Sequence, residues 1–127
     1  MCIRDSQRAD KNAVDLLKAN KITDDLKGNA KIPPKLCTQL AGENGALLDS
    51  SLQYLNRAVD INPNYDDAMQ YLNLDWRRKA DIECGNDAAR KADIAKADDW
   101  VQRAMGARKA NEAAKEKAAS GGIDMTK

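Results

Sequence analysis

Ser51-Leu52-Gln53-Tyr54-Leu55-Asn56-Arg57-Ala58-Val59 and, 46 residues later, Ala97-Asp98-Asp99-Trp100-Val101-Gln102-Arg103-Ala104-Met105 share one pattern. Aromatic stands over aromatic at 54 and 100, aliphatic over aliphatic at 55 and 101, Arg over Arg at 57 and 103, and Ala over Ala at 58 and 104. Within each stretch the apolar positions recur at the spacing of one helix face. Self-similarity at such an offset marks stacked supersecondary units, none of which buries its apolar stripe alone.

Upstream, the stripe extends through Leu36, Leu40, Leu47, Leu48, Leu52, Leu55, Ala58 and Val59, which predicts helix from Lys35 to Ile61. Gly42 and Gly45 interrupt it. Each costs about 1 kcal/mol relative to Ala inside a helix, so a kink or break near 42–45 is expected. Asn62-Pro63 ends the helix, because proline has no N–H for the ladder and restricts the residue before it.

Downstream, Ala68, Met69, Leu72, Trp76 and Ala80 predict a second helix from Tyr65 to Cys84, with Asn64 as its N-cap and Gly85 as its left-handed stop. Asn86 or Asp87 then caps a third, long helix carrying Ile94, Ala97, Trp100, Val101, Ala104 and Met105. Residues 107–119 are almost only Ala, Lys, Glu, Arg and Asn, a composition that favours helix and buries little. A projecting end that stops at Ser120-Gly121-Gly122 is expected.

The N-terminal third is less patterned. Ala9, Ala13, Leu16 and Leu17 form a weak helical face over residues 7–20, and residues 21–32 read as loop before Pro33-Pro34 opens the next helix. Residues 1–6, Met-Cys-Ile-Arg-Asp-Ser, read as an assembly scar and are set aside from fold reasoning, so that a longer protein is expected upstream. The expected organisation is a poorly defined segment at 1–34, a helical domain at 35–119 and a flexible tail at 120–127.

Composition supports an all-α fold. Charged residues make up 32% of the 127, mean hydropathy is -0.70 and Phe is absent, so a row of small helix contacts is easier to build than one deep core. β-branched and aromatic residues never alternate as they do in strands. Lys and Arg number 21 against 20 Asp and Glu, interspersed, which creates no strong field for nucleic acid. No apolar run is long enough to span a membrane, and the start lacks the apolar core of a leader. Cys2, Cys37 and Cys84 are widely spaced, with no C-x-x-C and no His to complete a zinc site, so they read as reduced helix-packing thiols. No phosphate loop, nucleophile motif or metal cluster is present, and neither catalysis, a metal nor a cofactor is expected. The adjacent pairs Asp24-Asp25, Asp66-Asp67 and Asp98-Asp99 diverge by about 100° on a helix and cannot converge on one reacting atom. Arg77-Arg78-Lys79 reads as a solvated face.

With these residues in view, the chain resembles the tetratricopeptide repeat over residues 46–105. Ser51, Leu55, Ala58 and Pro63 stand at the spacing of that family's second helix. Met69, Leu72, Asn73 and Trp76 stand at the spacing of the next first helix, Asn62-Pro63-Asn64-Tyr65 is similar to the inter-repeat turn, and Ala97, Val101 and Ala104 supply another second helix. Asn73 departs from the small residue usual there, and Asp75 from the apolar one. The resemblance implies antiparallel hairpins stacked as a solenoid, in the C-terminal fragment of a longer bacterial chain. A usual repeat has about 34 residues, and the excess of about 12 fits one elongated hairpin, each helix longer by roughly 9 Å, with its tip at Cys84-Gly85-Asn86. Counting from that tip sets Trp76 against the segment from Ile94 to Val101.

The resemblance also implies a function. First helices of the family line a groove for protein or peptide partners, which carries the groove positions onto Gln70, Leu74 and Arg77 with Asp67 at the rim. Leu55, Ala58, Pro63, Leu72, Trp76, Ala97, Val101 and Ala104 are the implied repeat core. The Lys-x-x-x-Asn carboxylate clamp of some relatives is missing, since Met69 precedes Asn73 by four. The expectation is a soluble, non-enzymatic scaffold for protein–protein interaction, compatible with self-association. Its compartment is open, cytoplasmic or periplasmic. The alternatives are a structural cap on a longer solenoid and weak nucleic-acid binding through the Lys/Arg-rich C-terminal half.

Overall fold

A computed structural model describes the backbone of residues 2–125 and the side chains of residues 4–119. Among the described residues four helices follow one another: α1 (Cys2–Ala19), α2 (Pro34–Ile61), α3 (Asp66–Asp81) and α4 (Asp87–Met125). The chain is all-α, with no strand among the described residues.

α1 begins within the hexapeptide set aside on sequence grounds and runs to Ala19. Its stripe is Ser6, Ala9, Ala13 and Leu17, all buried, and it packs on α2 and α3. The stripe is hard to see because three of its four members are Ser or Ala. The helix closes in a Schellman arrangement: Ile22 N–H donates to Leu17 O, Lys21 N–H donates to Lys18 O, and Lys21 adopts φ 55.

α2 starts on Pro34, whose missing N–H costs nothing in a first turn, and ends at Ile61 before Pro63. It runs unbroken through Gly42 and Gly45, so the break expected there is not formed. Leu40, Asn44 and Leu48 are fully buried across this stretch. Burying each Leu stabilises by roughly 1.5–3 kcal/mol, which exceeds the glycine cost. Asn44 adds a tie to α1, donating from Nδ2 to Ala9 O at 2.8 Å and accepting from Asn12 at 2.9 Å.

α3 is the central helix, in contact with each of the other three. Its N-cap is Tyr65 with no side-chain cap, so the expected Asn64 cap is not formed. Instead Asn64 O accepts from Asn111 of α4. At the other end Cys84 and Gly85 adopt φ 50 and φ 90, and this turn is the hairpin tip read from the sequence. Asn86 caps α4 by accepting from Ala89 N–H at 3.1 Å. α4 continues past 120–122, where a stop was expected, to Met125.

The main core gathers Leu52, Leu55 and Val59 of α2, Ala68, Met69 and Leu72 of α3, and Trp100, Ala104 and Ala107 of α4. Ala58 and Trp76 lie at its edge, half-buried. Ala97 is buried on the same α4 stripe and Val101 is half-buried, whereas Pro63 is exposed in the turn. Lys96 sits over the Trp76 ring at 4.3 Å, within the segment expected to face it.

Cys37 and Cys84 form a disulfide with Cα atoms 5.6 Å apart, which corrects the reading of reduced thiols. The residues are separated by 47 positions, and nothing local marks them as a pair. The bond joins the first turn of α2 to the tip of the α3–α4 hairpin.

Candidate functional site

The four positions expected to face a partner recur at three- and four-residue spacing along α3, and so lie on one side of it. Asp67 is exposed, and Gln70, Leu74 and Arg77 are half-buried. Arg77 is not free. Its Nε donates to Asn73 at 2.8 Å, one terminal nitrogen reaches Lys27 O at 3.3 Å, and the other pairs with Asp98 of α4 at 2.7 Å. The anchor expected for a partner is therefore spent largely inside the chain, on Asn73 one turn away and on Lys27 and Asp98, which are too distant in sequence to be read from it.

Those contacts set the register of α3 against α4. Arg77 meets Asp98 at one level, and Asp66, beside Asp67, meets Arg108 at 3.6 Å at the other. Between them the antiparallel helices bring Leu74 level with Val101 and Gln70 level with Met105. Val101 is half-buried and Met105 is 54% exposed. The result is a shallow strip with an apolar centre and an ion pair at each end. A hollow lined by Asp66, Asp67, Arg108, Asn111, Glu112 and Lys115 continues it along α4.

The loop before α2 closes the strip on the other side. Gly28, at φ 94, lies so near α3 that a Cβ there would be 2.8 Å from Ala80 Cβ and 3.0 Å from Arg77 O, with Ile94 of α4 at 3.3 Å. Asp24 and Asp25 shape this loop by accepting backbone N–H groups from Leu26, Lys27 and Asn29.

Arg78, read as part of a solvated face, is 2% exposed. It bonds Asp10 at 2.7 Å, Asp24 at 2.9 and 3.1 Å, and Asp81 at 3.2 Å, so one guanidinium ties α1, the loop and α3 together. Burial works to raise the Asp24 carboxyl, but the bonds from Arg78 and Leu26 N–H outweigh it and hold Asp24 below its ordinary value. Asp81 goes the other way, pushed up to about 6 by burial despite the opposing Arg78 charge.

Asp75 is also pushed up to about 6 by burial, against hydrogen bonds from Ser51 and Ser6 that favour its charged form. Asp93 rises to about 7 through burial and the neighbouring Glu83 carboxyl. Perturbed carboxyls of this kind can mark catalytic groups. Here Asp75 is fully buried, so no substrate reaches it. Among the described residues no group of His, Cys, Asp and Glu side chains could hold a metal ion. A cavity of about 110 Å³ beside the disulfide, bordered by Ile32, Asp81 and Arg90, has room for a few waters and lies away from the strip.

No helix of the described residues is long and apolar enough to cross a membrane. Comparison with known proteins found no match among family models, curated sequences or solved structures.

Proposed function

We propose that this chain is a tetratricopeptide-like helical scaffold that binds another protein through the α3–α4 strip and performs no catalysis. The observation that carries this reading is the open apolar centre formed by Leu74, Val101 and Met105, flanked by the pairs Arg77–Asp98 and Asp66–Arg108. An apolar centre with a charged rim is the anatomy of a protein interface. The stacking of α1–α2 on α3–α4 through the central α3, together with the 46-residue self-similarity, supports the repeat assignment.

A photo-crosslinking residue at Gln70 tests the proposal, with the same residue at Ala113 on the exposed distal helix as control. Protein adducts formed at Gln70 and absent at Ala113 are the expected result. Equal labelling at both positions, or none at either, removes the strip as a binding surface.

A further inference from the structure

Along α4 the strip reads Asp98, Val101, Met105 and Arg108: acidic, apolar, apolar, basic. Reversing its direction exchanges the charges and leaves the apolar pair in place. Along α3 it reads Asp67, Gln70, Leu74 and Arg77, again acidic at one end and basic at the other. The midpoints fall at residue 103 on α4 and residue 72 on α3. The contacts Arg77–Asp98 and Asp66–Arg108 set these midpoints at one level across the hairpin. The charged ends of both helices are thus self-complementary about the same line, and on α4 the apolar pair between them is as well.

Comparison within the chain shows that this surface lacks a cover its counterpart possesses. Leu55 and Val59 stand 46 residues before Val101 and Met105. They are 1% and 4% exposed, packed in the core that α2 shares with α3. At the equivalent α4 positions Val101 is half-buried and Met105 is 54% exposed. The loop carrying Gly28 covers the continuation toward Ala80 and Ile94, which bounds the open surface at that end.

We propose that the occupant of this strip is a second copy of the chain, in a two-fold dimer whose axis lies in the strip and crosses both helices at the level of residues 72 and 103. The proposal rests on the strip being a protein-binding surface and names its partner. Rotation about that axis lays α4 antiparallel on α4 and α3 antiparallel on α3. Asp98, paired with Arg77 in its own chain, then also meets Arg108 of the partner subunit, Val101 meets Met105 of the partner subunit, and Asp67 comes level with Arg77 of the partner subunit, so that each intrachain ion pair is extended into a network across the axis and each contact occurs twice. A parallel arrangement would set Asp98 on Asp98 and Arg108 on Arg108, and like charges select against it. Isologous contacts of this kind close on themselves and leave no strip exposed.

Sedimentation equilibrium of the full chain, from micromolar to near-millimolar concentration, tests the proposal. The wild type is expected to reach twice the chain mass. Met105→Asp, at an exposed side chain whose loss leaves the core intact, is expected to remain monomeric with unchanged helical circular dichroism. Asp98→Arg and Arg108→Asp are each expected to weaken self-association about tenfold or more, because like charges then face each other across the axis. Mixing the two is expected to restore a dimer containing one of each. A monomeric wild type overturns the proposal, as does a dimer indifferent to Met105→Asp or a mixture no tighter than its components. If the wild type is monomeric while Gln70 crosslinks to a foreign protein, the second copy is wrong and the scaffold reading stands. If neither self nor foreign adducts form, both fall.

Discussion

Ser51 on α2 donates a hydrogen bond at 2.5 Å to Oδ2 of Asp75 on α3, and neither residue is exposed to solvent. Ser6 of α1 donates to the other carboxylate oxygen, also at 2.5 Å. Three helices therefore converge on one buried acid. The two hydroxyls favour its charged form, but burial dominates and raises the group from 3.8 to about 6.

That shift predicts a stability that falls as pH rises. Between its ordinary 3.8 and its folded value of about 6, Asp75 keeps its proton in the folded chain and loses it in the unfolded one. The penalty grows across that window and is complete above about pH 6, at roughly 3 kcal/mol for a fully buried group. Asp81, with a folded value of about 6, and Asp93, with one of about 7, act in the same direction. Asp24, held low, opposes them only below its ordinary range. Denaturant melts of the wild type should show higher stability at pH 5 than at pH 7.5, and Asp75→Asn should show a smaller slope. A slope unaltered by Asp75→Asn would show that the group titrates normally.

Arg78→Met should destabilise by about 3–5 kcal/mol, because Asp10, Asp24 and Asp81 lose their shared counter-charge and Asp81 is left buried and unpaired. Arg78→Lys should recover only part of the loss, since an ammonium cannot span three carboxylates with a planar fork. Thermal melting checks both. A Lys variant equal to wild type would show that charge alone matters at this position.

Reduction of Cys37–Cys84 with a dithiol should lower the melting temperature, and Cys37→Ser should match the reduced wild type. A loop closed across 47 residues corresponds to about 4 kcal/mol of lost unfolded-state entropy. Mass spectrometry of the alkylated protein tests the pairing directly. Recovery of both cysteines as free thiols after preparation under oxidising conditions would remove it.

Gly28→Ala should dislodge the loop from α3. The added methyl would lie 2.8 Å from Ala80 Cβ, and φ 94 is unfavourable for any residue with a Cβ. A loss of about 1–3 kcal/mol is expected, with faster hydrogen exchange at Leu26 and Lys27. Wild-type exchange at those amides would place the loop away from α3.

Trp76→Ala should cost about 1–3 kcal/mol, less than a fully buried indole, because the ring is half-buried under Lys96 and Lys79. Ala113→Ser on the exposed distal part of α4 should leave the midpoint unchanged. Equal midpoints for Trp76→Ala and wild type would assign the ring to a surface role.

The sequence by itself determined what local chemistry controls. Pro34 and Pro63 bracket α2, Gly85 and Asn86 place the hairpin tip, and the apolar spacing of Leu55, Leu72 and Ala104 identifies helix faces, since each depends on residues within a turn or two. The resemblance to the tetratricopeptide repeat implied Asp67, Gln70, Leu74 and Arg77 as groove positions, and their three- and four-residue spacing puts them on one side of α3. Only the tertiary structure decided how those residues are employed. The bonds of Arg77 to Asp98 and Lys27 O, the burial of Arg78 among three carboxylates, and the pairing of Cys37 with Cys84 join positions 3 to 68 residues apart. Helical periodicity reports which side of a helix is apolar but carries no information on which distant backbone covers it. For the same reason the Ser- and Ala-rich stripe of α1 gave little signal alone, and its role follows from the surfaces of α2 and α3 against which it packs.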